Sequence, residues 1–403
     1  MKDSHKTIIH ISTLPVWVMG NKAGMPSTHR MIDYLYHRGI SQIYISLTEN
    51  PFSVSEVSPR LQFINLHIPE ILDYKANRIK FRLKRKILVM YTCFKYRHYL
   101  RSVINTHKPA AVITHLYAAS IIMKILFPLH QNIFAKLYGT VCMFGNLKNH
   151  RYRRIKLISI IPFMLSYCGF LFTDDGTQSD RLASLMRIPE NKFSFLMNGV
   201  EERVPVSSEI IQQIKHKLGI EQNSIIGLFV GRMNNLKGVD QLIYFIEKNR
   251  ELPIHWIIIG DGVEIDNIRN KNFDNVSLLG RIPHAELSKY YCLADFFVSF
   301  NILSNMNNPV YDALEYGLPV FSLKRGHDSI GIEDIIITKQ TVDQLTSVFK
   351  STFHIFEKDN AEQYEQWKTQ ISRWADLHLP SWDERYEKEW EFIRHRTEKC
   401  GRK

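Results

Sequence analysis

Residues that could hold a phosphorylated ligand occur in the second half of the chain, directly after an apolar run. In "LFVGRMNNLKG" the run ends at Gly231, Arg232 follows it, and Lys237 comes six positions after Gly231. A glycine lets a ligand approach the backbone closely, and Arg and Lys near a helix N-terminus add donors and positive charge. The grouping suits a diphosphate, although an ordinary strand-to-helix turn with two surface cations has the same local pattern.

A second turn of the same kind follows the next apolar run. The stretch "IIIGDG" ends in Gly260, Asp261 and Gly262. Because the carboxyl ends of parallel strands meet at one edge of a sheet, we predict that this turn lies beside the first one. Alone it is only a turn, but the pair predicts a ligand-binding edge.

The stretch "SNMNNPVYDALEYGLPV" predicts a short helix that runs into a buried strand. Asn308 is a good N-cap and Pro309 a good first helical residue, so the helix is predicted to begin there and to end before Gly317. Asn305 and Asn307 belong to a residue type that tolerates a positive φ, so they are predicted to shape a tight loop. Their amides would offer a ligand neutral donors rather than carboxylates.

Apolar, β-branched runs alternate with helix-length segments along the whole chain, which predicts parallel strands joined by crossover helices. The expected class is α/β, with two Rossmann-like doubly wound domains that face a cleft. A turn-rich stretch, "MNGVEERVPVSSEI", separates the two series, so the first domain is placed at residues 1–203 and the second at 204–379. The tail, 380–403, has apolar and aromatic residues at helical spacing and is predicted to cross back to the first domain.

Charge is unevenly distributed along the chain, whose formal net charge is +12. No Asp or Glu lies between Asp73 and Asp174, and this interval holds eighteen Lys and Arg residues between positions 75 and 156, interleaved with aromatic residues. Such a region suits an anionic surface, either a membrane leaflet or nucleic acid. The alternative is a basic helix that is merely solvated.

The five cysteines are widely spaced, with no CxxC pattern and an odd count, which favours a reducing compartment over a disulfide framework. The N-terminus lacks the apolar region of a secretory signal. The longest uncharged apolar segment, 157–172, contains Pro162 and is shorter than the roughly 18 to 20 residues that a spanning helix needs. We therefore predict an intracellular protein in which this segment is a buried helix followed by a strand.

Taken together, these motifs resemble the GT-B glycosyltransferases of the retaining family 4 type, also called glycosyl transferases group 1. The resemblance covers about residues 195–322 and rests on the order "NGV", "GRMNNLKG", "GDG", "NVSLLG", "ELSKYY", "ADFFV" and "GLPV". It implies a hexosyltransferase of class EC 2.4 that uses a nucleoside-diphosphate sugar and needs no metal. By resemblance, Arg232 and Lys237 stabilise the departing diphosphate.

The resemblance also assigns a donor site that departs from the family pattern at two positions. Relatives have a glutamate that contacts the transferred sugar where this chain has Ser304, and a second that binds the ribose where it has Asp312. The expected donor-binding residues are Gly231, Gly260, Asp261, Ser304, Asn305, Asn307, Asn308 and Asp312. Neutral donors in place of an acid suggest an altered donor preference.

The first half of the chain is similar to the family more loosely. The loop "GNKAGMPSTHR", with Gly20, Asn21 and Gly24, resembles the glycine-containing loop on the acceptor side. Tyr138 stands at a strand end where many relatives have a histidine, and His115, at another strand end, is the candidate catalytic histidine. A buried, hydrogen-bonded histidine is an equal alternative for His115. The acidic pair that ends the strand "GFLFTDD" could face the cleft or cap a helix.

The resulting hypothesis is a retaining glycosyltransferase in bacterial surface polysaccharide synthesis, lipopolysaccharide included. Its acceptor would be a lipid-linked or oligosaccharide chain. The basic 75–156 region would hold the protein on the inner face of the cytoplasmic membrane, with no nucleic acid involved. Two alternatives stay open: a GT-B sugar-nucleotide epimerase, and a basic scaffold or nucleic-acid-binding protein with a decayed donor site.

Overall fold

The computed structural model describes residues 6–13, 26–47, 60–66, 79–140, 143–151, 157–221 and 223–401. The chain divides into two units. The first comprises residues 1–173, 178–197 and 383–403, and the second comprises 174–177 and 198–382. The division after Met197 lies six residues before the boundary predicted from the sequence. The tail from Asp383 onward is assigned to the first unit.

The first unit is built on a seven-stranded sheet with the order β3-β2-β1-β4-β5-β6-β7. Its strands are β1 (Thr7–Ser12), β2 (Ser41–Ser46), β3 (Leu61–Asn65), β4 (Ala111–His115), β5 (Ile133–Leu137), β6 (Gly169–Asp174) and β7 (Phe193–Met197). Its helices are α1 (Pro26–His37), α2 (Ile79–His107), α3 (Leu116–Leu126), α4 (Met143–Lys148), α5 (Leu157–Met164) and α6 (Ser179–Leu185).

The second unit is built on a six-stranded sheet with the order β10-β9-β8-β11-β12-β13. Its strands are β8 (Ile225–Val230), β9 (Ile254–Ile259), β10 (Val276–Gly280), β11 (Phe296–Ser299), β12 (Val320–Leu323) and β13 (Ile337–Lys339). Its helices are α7 (Ser208–Lys217), α8 (Val239–Lys248), α9 (Ile265–Arg269), α10 (Ser288–Leu293), α11 (Asn308–Glu315), α12 (Val342–Thr352) and α13 (Ala361–His378). The last helix, α14 (Trp382–Gly401), belongs to the first unit from Asp383 onward.

Each sheet owes its parallel form to strands that are apolar on both faces. The central strands β1, β4 and β5 of the first sheet are almost wholly buried, as are β9 and β11 of the second. A strand with both faces buried must be covered by helices on both sides, which crossover connections supply. The predicted fold class, two Rossmann-like α/β domains, is confirmed.

Both sheets reverse their strand order at one point, between β1 and β4 in the first and between β8 and β11 in the second. In open α/β sheets, ligands bind beside such a reversal, outside the carboxyl ends of the strands. A ligand-binding site is therefore expected at the loops that follow β8, β9 and β11 or at the residues that end β4 and β5.

The longest uncharged apolar segment of the sequence divides between a helix and a strand. The segment 157–172 forms α5 and the start of β6, so the predicted helix and strand are present. The helix is only partly buried, because Met164 at its end is 70% exposed. Within the described ranges, we find no helix that combines the length and apolar character needed to cross a bilayer.

Candidate functional site

The turns after β8 and β9 are joined by backbone hydrogen bonds. The Met233 N–H donates to the Asp261 carbonyl oxygen at 3.0 Å. Gly260 has φ +142°, and a Cβ there would lie 1.7 Å from the Gly231 carbonyl oxygen. Only glycine permits that approach. The structure thus brings the two predicted glycine turns together at one sheet edge, with Asp261 accepting from the Gly262 N–H at 2.8 Å.

A short turn of 3₁₀ helix, Asn235–Lys237, carries the predicted lysine. The Asn234 side chain caps it by accepting from the Lys237 N–H at 3.1 Å. Gly238, with φ +71°, then starts α8, and a Cβ on it would lie 2.1 Å from the Phe300 carbonyl oxygen. The Ile302 N–H also donates to the Leu236 carbonyl oxygen at 3.0 Å. Lys237 is therefore held against the segment that follows β11.

The electrostatics of this turn favour an anion. Two causes lower the pKa of the Lys237 ammonium to about 8: burial, which is the larger, and the nearby Arg232 guanidinium. Within the described part of the chain, no carboxylate forms an ion pair with Lys237. A partly desolvated ammonium that is repelled by a neighbouring cation is stabilised by any anion that binds between them.

The helix after the asparagine-rich loop differs by one residue from its prediction. Asn307 is the N-cap and Asn308 is the first residue of α11, so the predicted N-cap at Asn308 is wrong. The reason is that Asn307 has an extended backbone with φ −147°, which leaves Asn308 and Pro309 to begin the helix. The predicted end before Gly317 is confirmed, with φ +71° at that glycine.

The prediction that Asn305 and Asn307 use a positive φ is also wrong, because neither is among the described non-glycine residues with such a φ. They shape the loop through their amides instead. Asn307 Nδ2 lies 3.2 Å from the carbonyl oxygens of Ser304 and Asn305. Asn305 is 1% exposed, and its Oδ1 lies 2.7 Å from Ser322 Oγ on β12. Asn305 Nδ2 is buried without a hydrogen-bond partner among the described residues.

Ser304 is buried and serves the loop itself. Its Oγ accepts from the Met306 N–H at 2.9 Å. A Cβ on Gly176 would lie 2.0 Å from Ser304 Oγ, and a Cβ on Gly326 would lie 2.9 Å from Ser304 Cα. The serine is thus enclosed by two glycine backbones, in a space with no room for a longer side chain.

Ser304→Glu is therefore expected to destabilise the protein. Overpacking of a filled site costs about 1–3 kcal/mol, and a buried unpaired carboxylate adds to that cost. Urea unfolding measures the loss. Ser304→Ala, which removes only the hydrogen bond to Met306, should cost about 1 kcal/mol. Equal stability of Ser304→Glu and the wild type would show that the space is open to an acid.

Asp312 and Asn308 lie on α11, with their partners in the same unit. Asp312 Oδ2 is 3.5 Å from His284 Nε2, and the Asp312 side chain is 12% exposed. Asn308 Oδ1 accepts from Asn198 Nδ2 at 2.8 Å, which connects the "NGV" segment to the helix. The carboxylate of Asp312 is thus positioned by an imidazole that the sequence analysis did not single out.

In the first unit, His115 and Tyr138 are brought together at the carboxyl ends of β4 and β5. His115 is fully buried, and its Nδ1 lies 2.6 Å from Tyr138 Oη. Its Nε2 lies 3.1 Å from His10 Nδ1. Both ring nitrogens of His115 are therefore hydrogen-bonded, and Tyr138 is half-buried. Gly20, Asn21 and Gly24 lie outside the described residues.

The predicted acidic pair, Asp174 at the end of β6 and Asp175 directly after it, is hydrogen-bonded within the second unit. Ser329 Oγ donates to Asp174 Oδ2. Asp175 Oδ1 accepts from the Thr177 N–H at 3.1 Å, and Gln178, not either aspartate, is the N-cap of α6. Within the described ranges, no group of three or more His, Cys, Asp or Glu side chains is arranged to hold a metal ion.

Several residues around these sites were missed by sequence analysis. His10, Thr28 and Gln42 join His115 and Tyr138 through hydrogen bonds between distant parts of the chain, and local patterns carry no signal for them. For His284 the sequence offers only a weak indication of a role in the site, which is its position just before the "ELSKYY" motif.

Comparison with known proteins identifies similar sequences and folds. Residues 224–351 match the family model described as glycosyl transferases group 1. The chain is 25% identical over 232 residues to the alpha-monoglucosyldiacylglycerol synthase of Acholeplasma laidlawii. This alignment covers 54% of this chain and 51% of that protein. It is 27% identical over 128 residues to the putative teichuronic acid biosynthesis glycosyltransferase TuaC of Bacillus subtilis (strain 168), 32% of each chain. The matches thus span about a third to a half of these relatives.

The fold of this chain is similar to that of Anabaena Alr3699/HepE, solved in complex with UDP-glucose. The TM-score is 0.66 at 12% identity, over 96% of this chain and 99% of that one. Similarity at this level of identity concerns the fold alone, an α/β chain with two parallel sheets.

Proposed function

We propose, from the premise that this chain is a GT-B protein with a glycosyl transferases group 1 domain at residues 224–351, that it is a retaining glycosyltransferase. It transfers a hexosyl group from a nucleoside-diphosphate sugar to a lipid-linked saccharide in the synthesis of a bacterial surface glycan. The observation that carries the proposal is Lys237, a half-buried lysine beside Arg232 at the carboxyl edge of the second sheet.

In the proposed reaction, the bond between the sugar C1 and the phosphate oxygen breaks, and a bond from C1 to the acceptor oxygen forms. Negative charge develops on the departing diphosphate, and Arg232 and Lys237 stabilise it there. The acceptor hydroxyl proton passes to an oxygen of that diphosphate. Asp312, held by His284, is suited to accept hydrogen bonds from a ribose.

The choice of substrates rests on similar proteins. Alr3699/HepE was solved with UDP-glucose, which supports a nucleoside-diphosphate hexose as donor. One relative is named as a synthase of a glucosylated diacylglycerol and another as a teichuronic acid enzyme, which supports a lipid or surface-glycan acceptor. This chain matches about half of the first relative and a third of the second, and it shares only 12% identity with Alr3699/HepE. Donor and acceptor are therefore both proposals for this protein.

The test begins with a thermal-shift panel of UDP, GDP, ADP, dTDP and CMP on the full chain. Stabilisation by one nucleoside diphosphate is expected, because a ligand that binds only the folded state raises Tm. The matching labelled nucleotide sugar is then incubated with a bacterial lipid extract. Transfer into lipid with the donor's anomeric configuration supports the proposal. No nucleotide stabilisation would remove it and favour the basic-scaffold alternative.

We propose that helix α2 and its neighbours hold the enzyme on an anionic membrane. Its exposed aromatic side chains lie beside cations: Phe94 is 71% exposed, and Arg97 Cζ is 5.2 Å from its ring centroid. Lys95 Nζ is 5.6 Å from the ring centroid of Tyr91, which is 49% exposed. Aromatic side chains next to cations suit the boundary between headgroups and acyl chains. More protein should float with phosphatidylglycerol vesicles than with phosphatidylcholine vesicles, and the bound fraction should fall as salt is added. Binding that depends on neither the lipid nor the salt would contradict the proposed membrane association.

Nucleoside diphosphate affinity is expected to fall as the pH rises above about 8. The anion binds the protonated form of Lys237, whose pKa in the free protein is about 8 and rises in the complex. Binding is therefore strongest below pH 8 and weakens by up to about tenfold per pH unit above it. Titration calorimetry from pH 7 to 9 measures this. Lys237→Met should bind more weakly with a flat profile, and an equally steep profile in that variant would assign the effect to another group.

We propose that the transfer needs no added metal, because Arg232 and Lys237 supply the positive charge that the leaving diphosphate requires. Equal transfer rates with and without excess EDTA are expected. A loss of rate that Mg²⁺ restores would contradict this proposal and leave the donor assignment unchanged.

A further inference from the structure

Two cysteine side chains of the first unit meet where the C-terminal helix passes the start of β6. Cys168 directly precedes β6, and Cys400 lies in the last turn of α14. Both are free thiols, and their sulfur atoms are 2.7 Å apart although 232 positions separate them along the chain. A disulfide bond has an S–S distance of about 2.05 Å, so a shift of about 0.7 Å would bring the two sulfurs to bonding distance.

The packing of α14 against the start of β6 holds the two cysteines in place. The Cys168 carbonyl oxygen accepts from Arg396 Nε at 2.9 Å, and Arg396 lies one helical turn before Cys400. A Cβ on Gly169 would lie 2.9 Å from Phe392 Cε1, one further turn back on α14. Because residues four positions apart lie on one face of a helix, the same face carries all three of these α14 residues. The approach of the sulfurs therefore follows from helix docking.

The two thiols differ in exposure, which sets the order in which they can react. Cys168 is 3% exposed, and burial raises the pKa of its thiol. Cys400 is only half-buried, so an external reagent reaches it first. Lys124 on α3 interacts electrostatically with both thiols. Since a neighbouring ammonium stabilises a thiolate, the surroundings of the pair support thiolate chemistry.

We propose that Cys168 and Cys400 form a reversible disulfide, which fixes the end of α14 to β6, when the protein meets a small-molecule disulfide such as oxidised glutathione. The Cys400 thiolate attacks one sulfur of the reagent and releases a thiolate, which takes up the Cys400 proton. The Cys168 sulfur then loses its proton, attacks Cys400 Sγ in this mixed disulfide and releases the second thiolate, which is protonated in turn. Two protein thiols are thereby oxidised, and the reagent is reduced to two thiols.

The disulfide would close a covalent loop that contains most of the second unit. The chain passes from the first unit to the second after Met197 and returns at Asp383, and both cysteines lie outside this interval. Such a link restricts the unfolded chain far more than a folded chain in which the sulfurs already meet, so oxidation should stabilise the protein. Neither cysteine is a residue of the candidate donor site, so disulfide formation does not depend on the proposed function.

Disulfide formation is tested on the full chain with Cys93, Cys142 and Cys292 replaced by serine, so that only the pair can react. After incubation with oxidised glutathione at pH 8 and alkylation, peptide mass mapping should find the peptides of Cys168 and Cys400 cross-linked. Dithiothreitol should restore both thiols. The wild-type chain, mapped in the same way, should contain the same cross-link. Glutathione adducts without the cross-link, or two unmodified thiols, would overturn the proposal.

Thermal unfolding tests whether the folded chain accommodates the bond. Oxidation should raise Tm by about 5 °C or more, as disulfides of long loops typically do. The matched control keeps Cys168 and the exposed Cys292 and replaces the other three cysteines by serine. The Cys292 Sγ lies near the Val204 carbonyl oxygen, at 3.8 Å, so this control should gain neither a cross-link nor stability. An unchanged or lower Tm after oxidation of the pair would contradict the proposal that the fold holds the sulfurs ready to bond.

Discussion

The double variant Arg232→Ala/Lys237→Ala is expected to lose the transfer reaction by a factor of about 10³ or more in kcat. Each cation is placed to meet charge on the leaving diphosphate, and removing one such donor typically costs about 10²–10³ in rate. Lys237 is the more demanding position, because this half-buried lysine has no ion pair among the described residues. Transfer of labelled sugar at saturating donor measures the loss, and circular dichroism checks the fold.

The matched control removes two cations from the same unit. Arg269 and Lys271 pair with Asp266 and Glu247 on the surface, at 3.0 and 2.7 Å. Exposed pairs of this kind contribute about 0–1 kcal/mol, so Arg269→Ala/Lys271→Ala should retain activity. Similar losses in the two double variants would mean that total positive charge matters, and the specific assignment to Arg232 and Lys237 would be wrong.

Glu389→Gln is expected to lower the free energy of unfolding by about 3–5 kcal/mol, which is typical for breaking a buried ion pair. Glu389 on α14 binds both Lys136 on β5 and Arg385 one helical turn earlier, and all three side chains are 1% exposed. The two cations keep the pKa of Glu389 below its usual value despite burial. Without the carboxylate, two buried positive charges have no counterion. Urea unfolding measures the change.

Two further variants make this prediction specific. Glu387→Gln, two residues earlier on the same helix, breaks a partly exposed pair with Arg38 and should cost about 0–1 kcal/mol. Replacing Lys136, Arg385 and Glu389 together by apolar residues should recover most of the stability, because burying charges costs more than burying hydrocarbon. A Glu389→Gln protein as stable as Glu387→Gln would show that the buried cluster contributes little.

The fold was largely predictable because its signals are local. Apolar runs of strand length predict both parallel sheets, and the pattern of spacing in the tail predicts α14, whose Tyr386, Trp390 and Ile393 are buried. Helix α11 ends before Gly317 as predicted, because a glycine with positive φ terminates a helix through its own backbone. Its start was misplaced by one residue, since Asn307 and Asn308 are both suitable N-caps and the surrounding packing decides between them.

The donor-side candidate site was predictable in part. The turns at Gly231 and Gly260 come together because they follow adjacent parallel strands, which the alternation of elements already implies. The environment of Ser304 could not be derived in the same way. Its space is set by Gly176 and Gly326, which are not its neighbours in sequence and approach it only in the folded chain.

By itself, the sequence determined the class of the fold, the order of its elements and the residues at the carboxyl edge of the second sheet, because propensity, periodicity and turn chemistry act over a few residues. Only the tertiary structure decided which polar side chains are buried and what they bind. His115 and His10 are 105 positions apart and Lys136 and Glu389 are 253 apart, so no local pattern relates them. Their pairing follows from strand order and helix docking, because a buried polar group is stable only where the fold brings it a partner.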